Sequence, residues 1–229
     1  MGGIISIIDY GMGNLRSVQK AFEKTGFDAR IIRTAREVQD AHALVLPGVG
    51  AFRDCLKNLD ALNLITPIVT SIRSGKPFLG LCLGLQVLFS ESEEFGVTPG
   101  LDIIRGGVVP FPANMAEKQG PSGVNPARLK IPHMGWNTIS IKKRPPCLAA
   151  IQDASFFYFV HSYYVVPDDR EVIATTTRYG VEFTSSIWKD NIVAFQFHPE
   201  KSQALGLQVI RSFAETAVRS HNAPAMRGA

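Results

Sequence analysis

Cys82 stands in Gly80-Leu81-Cys82-Leu83-Gly84, a G-x-C-x-G pattern. With serine at its centre this pattern is the nucleophile elbow. A tight strand-to-helix turn pushes the reactive side chain outward, and small flanking residues let the turn close. An ordinary thiol, with a pKa of about 8.5, is only a few per cent thiolate at neutral pH. The positive end of a following helix and a neighbouring imidazolium would both favour the thiolate. The competing reading is a cysteine packed as a small hydrophobe.

A nucleophilic thiol needs a base, and the chain offers His42, His133, His161, His198 and His221. In "IVAFQFHPE", Val193, Phe195 and Phe197 alternate with Ala194, Gln196 and His198, which sets His198 at the end of a buried strand. Pro199 lacks a backbone donor and ends the ladder there. Glu200 follows closely enough for a turn to bring its carboxylate to the imidazole, completing nucleophile, base and orienter. Without Cys82, the same residues would read as a surface His-Pro-Glu turn before a helix. Acyl transfer also needs oxyanion donors. "LPGVGAF" supplies a candidate, since Pro47-Gly48-Val49-Gly50 follows a strand, where doubly wound sheets place their ligand loops. Losing one such donor costs roughly 3 kcal/mol of transition-state stabilisation.

These residues need a frame to carry them. "GIISIIDY", "DARIIR", "ALVLPG" and "PFLGL" read as strands. They are separated by helices over "GMGNLRSVQKAFEKTGF", near Phe52 to Leu62, and from Ile65 to Ser74. A further helix is expected over "LGLQVLFSESEEF". The alternation predicts an α/β fold, a doubly wound, flavodoxin-like and mostly parallel sheet. The second half is strand-rich, with "FFYFVHSYYVV", "EVIATTTRY", "SSIWKD" and "NIVAFQFHP", and predicts antiparallel extension strands. "EKSQALGLQVIRSFAETAVRS" closes the chain as an amphipathic helix. The polar stretch from Ala113 to Lys130 reads as a surface loop, residues 1–220 as a single domain, and 221–229 as a loose tail.

Composition excludes several classes. Hydrophobic residues make up 45% and charged residues 19% of 229, which fits one compact domain rather than a disordered chain. The net charge of +4 is spread without a basic run, so no nucleic-acid partner is indicated. No apolar run reaches membrane-spanning length, and no signal peptide precedes "IISIID". "MGGIIS" matches the loose myristoylation pattern but reads better as the approach to a buried first strand. Three scattered cysteines, Cys55, Cys82 and Cys147, fit free thiols in a reducing, cytoplasmic setting. No metal-ligand spacing appears. Gly11-x-Gly13 opens like a dinucleotide fingerprint, but Arg16 occupies the third glycine position, so no cofactor is expected.

The motifs together resemble the class I, triad-type glutamine amidotransferases. "PFLGLCLGLQ" and "FHPEKS" carry that likeness. "DYGMGNLRSV", "LPGVGAF", "PHMGWN" and "FVHSYYV" narrow it to glutaminase subunits that serve a cyclase in histidine biosynthesis. The resemblance implies that Cys82 attacks the side-chain amide of L-glutamine, that His198 carries the proton, and that Glu200 holds His198. It implies an oxyanion hole from Val49, Gly50 and Leu83, and glutamine contacts from Gly50, Gln86, Ser162 and Tyr163. Trp136 and Lys201 would face a (β/α)₈-barrel cyclase in a heterodimer. The ammonia would be channelled there to make imidazole glycerol phosphate and an aminoimidazole carboxamide ribonucleotide. The rival readings are a glutaminase subunit of anthranilate or purine type, and a flavodoxin-like binding module with an inert cysteine.

Overall fold

A computed structural model describes residues 5–115 and 128–222. The first half runs β1 (Ile5–Ile8), α1 (Leu15–Lys24), β2 (Ala29–Ile32), α2 (Ala35–Asp40), β3 (Ala43–Gly48), α3 (Phe52–Ala61), α4 (Ile65–Arg73), β4 (Phe78–Cys82) and α5 (Leu83–Gln86). In α1 the Asn14 side chain accepts from the Ser17 amide, while Val18, Ala21 and Phe22 face inward as their spacing predicts. Helix α2 went unread in the sequence. Its signature was present in Thr34-Ala-Arg-Glu37, and the two outer residues form a reciprocal capping box.

Ten further elements follow: β5 (Phe89–Ser92), β6 (Thr98–Pro99), β7 (Ile104–Pro110), β8 (His133–Thr138), β9 (Ser140–Ile141), β10 (Phe156–His161), β11 (Tyr163–Pro167), β12 (Ile173–Tyr179), β13 (Val181–Lys189) and β14 (Ile192–Phe195). Helix α6 (Gln203–Asn222) closes the described chain. The main sheet has the order β2-β1-β3-β4-β14-β13-β11-β7-β5-β6, with β12 and β9 branching from β13. Strands β2, β1, β3, β4 and β14 pair in parallel, and β13 turns the sheet antiparallel. A separate ribbon pairs β8 with β10. The expected doubly wound sheet with antiparallel extensions is therefore present.

Apolar cores lie on both faces of this sheet. One includes Phe52, Leu59, Ile68 and Ile72 from α3 and α4, and the other Val18, Phe22, Val209 and Phe213 from α1 and α6. Among the described residues, no helix is long and apolar enough to cross a membrane.

Two expectations need correction. The helix after Cys82 lasts only from Leu83 to Gln86, and Phe89–Ser92 becomes strand β5, parallel to β7 and antiparallel to β6. Val87, Leu88 and Phe89 are all fully buried, so this run has no solvent face, and periodicity cannot separate a short buried helix from a strand. A single turn also carries little of the dipole field expected at the sulfur. The run "FFYFVHSYYVV" is divided at Ser162, so that β10 joins the ribbon and β11 the main sheet. Of the expected loop from Ala113 to Lys130, residues 116–127 lie outside the described residues, as do 223–229 of the expected tail.

The turn after β4 rests on its glycines. A methyl on Gly84 would run into the Leu46 carbonyl, and one on Gly80 would lie 2.6 Å from the Gly84 carbonyl oxygen. Overpacking costs about 1–3 kcal/mol, and a chain this size loses about 2–4 °C per kcal/mol. Gly84→Ala should therefore melt about 2–12 °C below wild type in calorimetry. An unchanged melting temperature would refute the tight packing.

Candidate active site

Cys82 closes β4 with φ 54° and ψ −105°, outside the ordinary basins of L-residues, so backbone strain is concentrated at the proposed nucleophile. The flanking parallel strands bring distant segments to it. Gly48 of β3 pairs with Cys82, and Phe195 of β14 with Leu81. A cavity of about 420 Å³ opens over the turn. Of the sequence-derived candidates, Val49, Gly50, Cys82, Leu83, Gln86, Ser162, Tyr163 and Lys201 all line it. Cys55 is fully buried and Cys147 borders a separate hollow; burial pushes both thiols up to about 12.

His198 and Glu200 lie behind the cavity, each side chain 3% exposed. The His198 amide donates to the Tyr158 carbonyl at 2.9 Å, and Ser202 Oγ donates to the His198 carbonyl at 2.7 Å. Tyr158 N in turn donates to Ser202 Oγ, which ties the turn to β10. Nδ1 of His198 donates to Glu200 Oε1 at 2.8 Å, since a carboxylate only accepts. Nε2 is the ring nitrogen left over, buried and without a well-formed hydrogen bond in this arrangement. Burial opposes charge on the ring. The neighbouring Cys82 sulfur and then Glu200 outweigh it and hold the imidazole well above its ordinary pKa.

Sequence reasoning missed Glu94 and Gln196 here, and offered His133 and His161 only as candidate bases. Glu94 is the one carboxylate among the lining residues, and its Oε2 also accepts from the Phe52 amide at 2.6 Å. Gln196 donates from Nε2 to Cys82 Sγ at 3.6 Å. His133 and His161 form a neutral buried pair. The Tyr163 carbonyl accepts from His161 Nδ1 at 2.8 Å, so His161 Nε2 accepts from His133 Nδ1 at 3.0 Å. Burial pushes His161 down to about 3 and His133 to about 4. The pair stiffens the Ser162-Tyr163 wall. Buried polar residues inside aromatic runs leave little periodic signal; only the "PHMGWN" and "FVHSYYV" motifs marked these two.

Trp136 does not line this cavity. It borders a second hollow of about 350 Å³ with His133 and Asn137, beside Arg178 and Tyr179 of β12. Met134, Trp136 and Phe156 of the β8–β10 ribbon are exposed. Lys201 Nζ sits 5.9 Å from the Tyr158 ring centroid, and that ring lies 6.1 Å from Trp136. The two expected interface residues therefore flank one aromatic side chain.

Comparison with known proteins adds an independent line. The family model described as "Glutamine amidotransferase class-I" matches residues 6–216. The imidazole glycerol phosphate synthase subunit HisH of Geobacter sulfurreducens is 56% identical, over 92% of this chain and 98% of its own. That of Geobacter metallireducens is 53% identical, over 92% and 97%. Among solved structures, PurLQS from Thermotoga maritima superposes with a TM-score of 0.69 at 14% identity, over 97% of this chain and 100% of its own, a likeness of fold alone.

The raised His198 pKa has a sign that can be tested. A proton held more tightly in the folded state stabilises fully below the unfolded value of about 6.5, and the gain fades as pH rises through the folded value. Glu200→Gln removes part of that gain. Its melting temperature should fall furthest below wild type at about pH 6 and converge toward it in the alkaline range. A deficit that grows with pH would reverse the assignment.

Proposed function

The chain belongs to the class-I glutamine amidotransferase family, and from that premise we propose that it is the glutaminase subunit of an imidazole glycerol phosphate synthase. Cys82 Sγ attacks the side-chain amide carbon of L-glutamine after its proton passes to His198 Nε2. The Val49-Gly50 peptide and the Leu83 amide receive the developing oxyanion. His198 returns the proton to the departing nitrogen, releasing ammonia and leaving a glutamyl thioester. Water, deprotonated by His198, then cleaves the thioester to glutamate and restores the thiol. Glu200 keeps Nδ1 occupied so that Nε2 faces the sulfur. Gln86, Ser162 and Tyr163 hold the substrate, and Glu94 offers its carboxylate to the α-ammonium group. The whole site belongs to one domain over 1–220.

Ammonia in open water is protonated and lost as a nucleophile. A (β/α)₈-barrel cyclase, paired as a heterodimer in the cytoplasm, would take it directly, with Trp136, Lys201 and Tyr158 at the shared face. There it would enter imidazole glycerol phosphate and the aminoimidazole carboxamide ribonucleotide. The observation that carries the reading is Cys82 at the cavity floor, with His198 and Glu200 aligned behind it.

The test is glutamate release by the chain mixed with its cyclase. Cys82→Ser should abolish turnover. Glu94→Gln should raise KM for glutamine about tenfold or more with a smaller change in kcat, as loss of ground-state binding predicts. Undiminished turnover by Cys82→Ser would overturn the mechanism. An unchanged KM would remove Glu94 from the substrate site.

A further inference from the structure

Gln196 is wholly buried and follows directly on Phe195, the last residue of β14, the strand that runs beside β4. Both ends of its amide are engaged. Oε1 accepts from Gln86 Nε2 at 3.1 Å, and Nε2 donates to Cys82 Sγ at 3.6 Å. The direction of this chain is fixed by the backbone. Gln86 Nε2 also meets the Tyr163 carbonyl at 3.1 Å, and a carbonyl only accepts, so Gln86 must present its NH₂ end. The atom of Gln196 facing it is then the oxygen, and its NH₂ faces the sulfur. The Tyr163 carbonyl is itself pinned by His161 Nδ1.

Besides His198, the sulfur meets the Val160 carbonyl at 3.8 Å. A thiol can donate to that oxygen, but a thiolate cannot, because both would then be acceptors. His198 interacts with the sulfur and gains charge from it, while its Nε2 makes no well-formed hydrogen bond in this arrangement. When the proton leaves the sulfur for His198, the Val160 contact is lost and the Gln196 N–H stays as a fixed donor to the thiolate, alongside the imidazolium.

We propose that Gln196 is a positioning residue for the ionised nucleophile, holding the Cys82 thiolate from below through an amide chain anchored on the Tyr163 carbonyl. Gln196 does not line the cavity, so it acts through the sulfur and not through the substrate. The chain also joins the substrate wall to the nucleophile, since Gln86 and Tyr163 line the cavity at its other end. This inference rests on Cys82 being the nucleophile proposed above.

The experiment follows the rate of Cys82 alkylation by iodoacetamide against pH, with Cys82→Ser as the blank, and steady-state glutamine turnover with the cyclase present. Charge-assisted hydrogen bonds of this kind predict that Gln196→Met moves the alkylation profile upward by about one pH unit and slows it about tenfold at neutral pH. The same variant should lower kcat by a similar factor and leave KM within about twofold. Gln196→Glu, of equal size, should slow alkylation further by placing a carboxylate against the thiolate. Gln86→Met, which frees the Gln196 amide to turn, should give a smaller shift in the same direction.

A Gln196→Met profile that coincides with wild type, with far-ultraviolet circular dichroism unchanged, overturns the proposal. So does a raised KM with unchanged kcat. Should Gln196→Met fail to fold, Gln196→Glu decides on the same readout, and alkylation as fast as wild type refutes it. Wild-type turnover that survives Cys82→Ser would instead defeat the nucleophile assignment, whatever Gln196 does.

Discussion

Strand β4 lies in parallel between β3 and β14, and the site depends on that register. No single segment holds the proposed chemistry. The thiol ends one strand, the glycine loop ends a second, and the imidazole and its carboxylate follow a third. Parallel strands share a polarity, so their carboxyl ends meet along one edge, where loops from distant parts of the chain become neighbours. Pairing Gly48 with Cys82 and Phe195 with Leu81 sets this meeting to within a residue. A slip of one residue would turn each side chain to the opposite face.

That register sets up a conflict at the end of β4. The chain must leave the sheet at once, with a non-glycine residue at φ 54°. Such a conformation persists only when its surroundings leave no alternative. Gly84 against the Leu46 carbonyl and Gly80 against Ala194 supply that restraint, since any larger side chain there would force the turn open. The strain and its containment are thus written within five residues.

The G-x-C-x-G and His-Pro-Glu patterns were legible because they combine unusual residue types with short spacings. The parallel sheet was legible from β-branched runs alternating with amphipathic helices. The length of the helix after Cys82 was not, since Val87 to Phe89 are buried on every side and only the pairing of Phe89 with Ile104 decides for a strand. Gln196 and Glu94 were hidden for opposite reasons. Gln196 sits in an aromatic run where alternation predicts nothing about polar contacts. Glu94 lies in an acidic stretch that reads as solvated surface, and its distance from Phe52 in the chain gives no hint of their contact.

That contact ties two features together. Helix α3 starts at Phe52, and Ala51 has no side chain able to cap it, so Glu94 serves as a cap borrowed from far along the chain. Gly50, at φ +95°, lies just before this start and lines the cavity with the same carboxylate. One carboxylate thus closes the first turn of α3 through Oε2 and, beside the glycine loop, places its charge on the cavity wall, so the helix start and the charge of the pocket are built from a single side chain.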